Sequence, residues 1–343
     1  MKERTGKRIL IFNVNWLGDV LFSTAAIRNI RYNFPDNFIA CAVPPRCYQI
    51  LKGNPHLDEI IIFDEKERHK GFIGQLNFVK ALKDKEFDTV FLFHRSFTRA
   101  LICRLADIPE RIGYHTKKRG FLMAKKIIAP LPDTMHRIDY YLNILKESGL
   151  KVEDRFTEFI IGVEDQKQVR RMLKEHGITK EETLVVVNPG GNWMPKRWPP
   201  EHWARLCDLL IASQGVRVVI AGSVNDIGLS QEIKGMMKKE PVIFTGSLTL
   251  KQLGALCTEA YCVISADTGP LHIASSLNTR NIIALFGPTS VAVTGPYPGK
   301  NTIIIQKDSG CPVPCYQVNC KDNRCMKAIT PEEVLQAFQK LKR

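Results

Sequence analysis

The run Ala260-Tyr261-Cys262-Val263-Ile264-Ser265-Ala266-Asp267-Thr268-Gly269-Pro270-Leu271-His272 passes from an apolar strand pattern straight into a helix start. Residues 260–265 are mostly apolar with no regular polar alternation, the pattern of a strand covered on both faces. Gly269 and Pro270 follow at once, with proline at a first-turn position where its missing N–H costs nothing. A strand that feeds a helix through so short a turn is the unit from which parallel sheets are built. Free N–H groups and the positive end of such a helix form a ready anion site. Thr268 adds a hydroxyl donor and His272 sits one turn in. A diphosphate fits this pattern, and so does an ordinary capped helix with a core histidine.

The alternation continues in both directions. In the second half, residues 184–188, 216–221, 242–245, 282–286 and 302–306 read as further strands. In the first half, residues 8–14, 38–43, 59–63 and 88–93 do so, with helical apolar spacing at 20–32 and 74–83 between them. A break falls near 161–169, where a charged helix at 165–176 opens the second series. The expected fold is therefore α/β, with two Rossmann-like parallel-sheet domains, 1–164 and 165–326, facing each other across a cleft. Ligands in such sheets sit at the carboxyl ends of the strands. Thr330, Pro331 and Glu333 form a helix start signal, which predicts a terminal helix at 331–342 within 327–343. That helix is expected to pack back on the N-terminal domain.

Composition narrows the class. A chain of 343 residues suits two domains. With 44% hydrophobic and 24% charged residues and a mean hydropathy of −0.13, it is neither disordered nor low-complexity. No stretch approaches the ~18 apolar residues of a membrane span. The basic start from Lys2 to Arg8 precedes an apolar run, but Asn13, Asn15 and Asp19 interrupt it. It reads as a first strand rather than a signal peptide, so a cytoplasmic protein is expected. Its ten cysteines are then reduced thiols. Cys41, Cys47, Cys103, Cys207, Cys257 and Cys262 lie in apolar contexts and read as small core residues.

The net charge of +14 calls for a polyanionic partner. The first 150 residues hold 25 basic and 16 acidic side chains. Residues 95–126 alone carry nine basic residues against Asp107 and Glu110. That stretch is either a solvated face or a phosphate-binding rim.

The dinucleotide and P-loop glycine motifs are both absent. The turn after the first strand reads Asn15-Trp16-Leu17-Gly18-Asp19-Val20. There Asp19 either caps the helix or stands at the strand's carboxyl edge as a general base. A second loop runs from Asn188 to Pro199 and includes Lys196-Arg197-Trp198-Pro199. Trp193, Trp198 and Trp203 lie along it. Lys196 and Arg197 are placed to bind phosphate or to stabilise a departing anion, unless the loop is only a surface segment packed by its tryptophans. Gly287-Pro288-Thr289-Ser290 makes one more polar turn at the same edge.

Taken in order, these motifs resemble glycosyltransferase family 9, the ADP-heptose:lipopolysaccharide heptosyltransferases, over nearly the whole chain. Gly18-Asp19-Val20 looks like the family's catalytic turn and Lys196-Arg197-Trp198-Pro199 like its basic donor loop. Asp267-Thr268-Gly269-Pro270-Leu271-His272 looks like its D-[ST]-G-x-x-H signature, and the tail from Cys311 through Ile329-Thr330-Pro331 has the family's shape. The resemblance implies the GT-B architecture, with the acceptor on the first domain and ADP-heptose on the second. It implies inverting transfer with no cofactor or metal required. By the same resemblance Asp19 is the general base, and Lys196, with Arg197 beside it, binds the donor. Thr268 and Gly269 hold the diphosphate, Asp267 and His272 lie close to the sugar, and Gly287 and Thr289 complete the donor site. Some members carry a nucleoside-contacting glutamate where this chain has Val224-Asn225-Asp226. Ser223 and Asn225 are the candidates for that contact here.

For the acceptor, the implied partner is the lipopolysaccharide core, an anionic glycolipid met at the cytoplasmic membrane face. Its Kdo carboxylates and phosphates give the rim a use, and Arg95, Arg99, Arg119 and Arg137 are the expected contacts. Cys311-x3-Cys315-x4-Cys320-x4-Cys325 permits a structural zinc or iron–sulfur site without specifying one, and the alternatives are a thiol-rich loop or disulfides formed after isolation. Other readings are a family member with another sugar nucleotide or glycan, and a GT-B sugar-nucleotide epimerase, to which the basic rim would be of no use. A nucleic-acid-binding protein would need a basic sheet with interleaved aromatics or a recognition helix; neither is present, so no nucleic-acid partner is expected.

Overall fold

The central strands are short and almost wholly apolar, so each must be covered on both faces, and two parallel sheets result. The computed structural model describes residues 6–116, 118–213, 215–297 and 301–341. Lys2 of the basic N-terminus and Lys342 of the expected terminal helix lie outside the described residues. The chain divides into two units, Met1–Ile160 and Ile161–Arg343.

In the first unit the chain runs through β1 (Arg8–Phe12), α1 (Leu17–Asn33), β2 (Phe38–Val43), α2 (Tyr48–Leu51), β3 (Glu59–Ile62) and α3 (Gly71–Lys83). It continues through β4 (Thr89–Leu92), α4 (Phe97–Leu105), β5 (Glu110–Tyr114), β6 (Lys125–Ile127) and α5 (Arg137–Ser148). The sheet order is β3-β2-β1-β4-β5-β6, parallel throughout. Helices α1 and α5 pack together, as do α3 and α4. The core over α3 and α4 gathers Leu10, Phe12, Phe63, Phe78, Leu82 and Leu92.

The second unit opens with α6 (Val163–Glu175), β7 (Thr183–Asn188), α7 (Pro200–Ile211), β8 (Val216–Ile220), α8 (Ile227–Met236), β9 (Val242–Ile243) and α9 (Leu250–Glu259). It closes with β10 (Cys262–Ala266), α10 (Gly269–Ser276), β11 (Ile282–Phe286), α11 (Val291–Thr294), β12 (Thr302–Gln306), α12 (Arg324–Lys327) and α13 (Pro331–Leu341). Its sheet order, β12-β11-β10-β7-β8-β9, is again parallel and has the same wound form.

The terminal helix begins as its sequence requires. Thr330 N donates to Glu333 Oε2 at 3.0 Å, and Glu333 N donates to Thr330 Oγ1 at 3.3 Å. Its place corrects the expectation that it returns to the first domain. Val334, Ala337 and Phe338 join the second unit's core with Trp198 and Trp203, and α13 packs on α7. The apolar stripe of α13 is thus buried on the neighbour that α7 supplies. The six scattered cysteines are buried as expected, and burial pushes the thiols of Cys41 and Cys257 up to about 12.

Candidate active site

All strands of a sheet run the same way, so the turn after each one lies on a single edge. In the first unit, that edge carries the β1–α1 turn with Asp19. Helix α1 begins at Leu17, with extended Trp16 as its N-cap. Asp19 is therefore a first-turn residue rather than the cap, leaving its carboxylate for other partners. The hydroxyl of Tyr141 on α5 donates to Asp19 Oδ1 at 3.2 Å. Burial, and then the Asp19 charge, hold the Tyr141 phenol well above its usual range, so it stays a donor.

Arg99 and Arg119, expected to bind an acceptor, are internal instead. Arg99 is 1% exposed. Its Nη1 donates to Asn13 O at 2.7 Å, and its Nη2 donates to Asn15 Oδ1 at 2.6 Å and Glu65 Oε2 at 2.7 Å. The guanidinium lies against the rings of Phe12 and Phe63. Arg99 thus braces the turn that carries Asp19. Arg119 is fully buried and donates to Tyr114 O at 3.1 Å and His94 O at 2.6 Å. Burial lowers its pKa to about 10. Five donors on a planar fork let arginine collect carbonyls that no water can reach. Arg95 is exposed and Arg137 half-buried. Each lies 5.8 Å from the centre of the Tyr140 ring. These two cations remain where an anionic ligand can meet them.

In the second unit the site is built on Asp267, just past β10 and 2% exposed. Lys196 Nζ donates to Asp267 Oδ2 at 2.7 Å and to Asp267 O at 3.1 Å. Thr294 Oγ1 donates to the same Oδ2 at 3.1 Å, and His272 Nε2 stands 3.1 Å from Oδ1. Burial alone would push this carboxyl up; the His272 contact and the Lys196 charge more than reverse it. It is held well below the usual carboxylate range. Asp267 and His272 are thus buried anchors, and Lys196 is the partly exposed cation they hold. Lys196 also lies 5.5 Å from the centre of the Trp193 ring. Beside it, Thr268 is the extended N-cap of α10, followed by Gly269 and Pro270. Thr268 makes no side-chain cap bond and faces Ser265 Oγ at 3.2 Å. A helix start without a side-chain cap is a favourable place for an anion.

Arg197 turns away to a different task. Its Nε donates to Gly191 O at 2.8 Å, and its Nη2 lies 3.4 Å from Asp226 Oδ1. Asp226 is buried and accepts from Ser223 N at 3.0 Å and Ser223 Oγ at 2.6 Å. A Cβ on Gly190 would lie 2.4 Å from the Asp226 carboxyl carbon, so only glycine lets the loop pass. Ser223 and Asn225 are both exposed, but the Ser223 hydroxyl is engaged by Asp226. Gly287 serves packing, since its Cβ would meet Met326 Sδ at 2.4 Å and Cys325 Sγ at 3.1 Å. Thr289 accepts at its carbonyl from Gln306 Nε2 at 2.8 Å, while its buried hydroxyl has no partner among the described residues.

Three site residues escaped the sequence reading. Asp226 had a signal, because Ser223-x-x-Asp226 is a capping pattern. Tyr141 and Thr294 had none. Of the four-cysteine cluster, Cys325 is buried and the other three are half-buried. Among the described residues, no three His, Cys, Asp or Glu side chains are grouped to hold a metal ion.

The sequence profile of glycosyltransferase family 9 (heptosyltransferase) matches residues 75–324. The lipooligosaccharide heptosyltransferase 2 of Haemophilus influenzae is 28% identical over 309 residues, 86% of this chain and 88% of that protein. The crystal structure of a family 9 glycosyl transferase from Veillonella parvula superposes with a TM-score of 0.86 at 26% identity, covering 98% of this chain and 97% of that one. The E. coli ADP-heptose LPS heptosyltransferase II gives a TM-score of 0.80 at 24% identity, with 97% and 98% covered. With the two wound sheets, the loop carrying Lys196 and the Asp267–His272 helix start all in place, the chain belongs to glycosyltransferase family 9, the heptosyltransferases.

Proposed function

We propose that this glycosyltransferase moves heptose from ADP-heptose onto the inner core of lipopolysaccharide, inverting the anomeric centre. The observation that supports it most is Lys196, a cation fixed by buried Asp267 at the mouth of α10. A departing diphosphate needs fixed positive charge at that point.

The acceptor hydroxyl gives its proton to the Asp19 carboxylate as its oxygen attacks the anomeric carbon. The bond from that carbon to the diphosphate oxygen breaks, and ADP leaves with the electron pair. Its new charge meets the Lys196 ammonium and the N–H groups at Thr268 and Gly269, so the step calls on no metal ion. Tyr141 orients Asp19, and Arg99 braces its turn from behind. Arg95 and Arg137 are the cations offered to carboxylates or phosphates of the acceptor, which the enzyme meets as a peripheral protein on the cytoplasmic membrane face. Exposed Asn225 is the side chain left for the nucleoside.

The test is incubation with ADP-heptose and defined truncated lipopolysaccharides, read by mass spectrometry of the products. One added heptose is the expected result. Transfer from a different nucleotide sugar, with none from ADP-heptose, removes the donor assignment.

A further inference from the structure

The loop from Met194 to Pro199 forms one wall of an open cavity of about 530 Å³ in the second unit. Helix α7 contributes Glu201, α8 contributes Leu229 and Glu232, and the tail closes the cavity between Cys320 and Lys327. That volume falls among small-molecule sites, which span roughly 300–1,000 Å³. Arg197 lines the cavity, whereas Lys196, Asp267 and Thr268 do not. It is therefore a second site, behind the loop that presents Lys196 to the leaving group.

Its charges have no use within the fold. The tail brings Lys321 and Lys327, and the two helices bring Glu201 and Glu232. All four are exposed, and none is in an ion pair among the described residues. Charges of both signs beside apolar Met194 and Leu229 suit a small zwitterion with carboxylates, an ammonium group and a short carbon chain.

The cavity also offers a nucleophile. Of the four clustered cysteines, Cys320 alone lines it, and it is half-buried rather than sealed in the core. Asn323 N donates to Cys320 Sγ at 3.4 Å and anchors the sulfur. Asn323 also reaches the donor loop, its Nδ2 donating to Arg197 O at 2.9 Å. Its Oδ1 is buried and has no partner among the described residues, an acceptor that a peptide N–H can match. One residue thus links the thiol to the peptide that follows Lys196.

We propose that this cavity is a modification site, where a zwitterionic peptide disulfide binds and leaves one of its halves on Cys320. The Cys320 thiolate attacks one sulfur of the bound disulfide. A new S–S bond joins Cys320 to that half, and the old S–S bond breaks. The other half departs as a thiolate and takes up the proton that Cys320 gave up. Cys320 is oxidised and the departing sulfur is reduced, so no further oxidant enters. The added group crowds Asn323 and Arg197 and loosens the donor loop. That consequence rests on the proposed donor site; the modification itself does not.

The experiment incubates the reduced full chain with glutathione disulfide or with cystamine, a disulfide that carries ammonium groups and no carboxylate. Intact mass and peptide mapping follow the reaction. One glutathionyl group on Cys320 is the expected product, formed roughly tenfold faster than the cystamine adduct. Lys321→Glu with Lys327→Glu should reverse that preference with an unchanged melting temperature. ADP binding in calorimetry should weaken about fivefold or more on modification and recover with dithiothreitol. Cys320→Ser should bind ADP as wild type does, with or without the disulfide. Absence of an adduct, or an adduct elsewhere with Cys320 free, overturns the site. Loss of hydrogen with no adduct means a disulfide within the cluster and overturns it too. Equal rates with cystamine overturn the charge match, and unchanged ADP affinity of the modified chain overturns the link to the donor loop. A chain that is modified and loses ADP, yet transfers no heptose when reduced, counts against the proposed reaction alone.

Discussion

Tyr141 gives its hydroxyl hydrogen to Asp19 Oδ1 over 3.2 Å, although the two residues are 122 positions apart. The bond ties the turn after the first strand to the last helix of the same unit. Tyr141→Phe keeps the ring and removes only the donor. A hydrogen bond to a charged group contributes roughly 1.5–3 kcal/mol, so kcat should fall about tenfold or more with both KM values little changed. Steady-state kinetics check this. Unaltered kcat would show that Tyr141 is a packing residue.

Asp19→Asn should reduce kcat by roughly 10²–10⁴, while ADP still binds in calorimetry. Retained turnover would remove Asp19 from the mechanism.

Lys196→Ala leaves Asp267 buried and removes the cation set against the leaving group. The expected loss is about 10²–10³ in kcat, with weaker ADP binding. A defect confined to the acceptor KM would contradict this placement.

Asp267→Asn acts first on stability. Leaving a buried charge partner unmatched costs roughly 3 kcal/mol, measurable in denaturant melts at neutral pH. A carboxyl held below its usual range binds fewer protons folded than unfolded. Its contribution is therefore full above the unfolded value, near about pH 4, and is lost as pH falls below it. Wild type should lose stability on acidification more steeply than Asp267→Asn. Parallel pH profiles would remove Asp267 as the source.

Arg95 and Arg137 should separate cleanly from the buried Arg99. Arg95→Glu with Arg137→Glu should raise the acceptor KM and spare the donor KM. Arg99→Met should instead lower the melting temperature and reduce kcat, because the turn under Asp19 loses its brace. A selective acceptor effect from Arg99→Met, with full stability, would return that residue to the surface.

These separations follow from what a sequence can and cannot display. The strands at 184–188 and 282–286 were legible because continuous apolar runs admit few other places in a fold. Strands β5 and β6 were not, since Glu110, Arg111, Lys125 and Lys126 made them look like part of a charge run. Lys196 and the Asp267–His272 start were legible as motifs after strands. The burial of Arg99 and Arg119 was hidden, because the carbonyls of Asn13 and His94, which accept from them, come from other turns. Charge counting finds the guanidinium and says nothing of its depth.

The loop that carries Lys196 is tied twice to the far end of the chain. Trp198 Nε1 donates to Ile329 O at 3.0 Å, and Asn323 Nδ2 donates to Arg197 O at 2.9 Å. During synthesis, the partners of that loop leave the ribosome more than a hundred residues after it does. The first unit can be complete while the donor loop still lacks its fastenings. A nascent chain should therefore be unable to engage ADP until residues 323–329 have emerged.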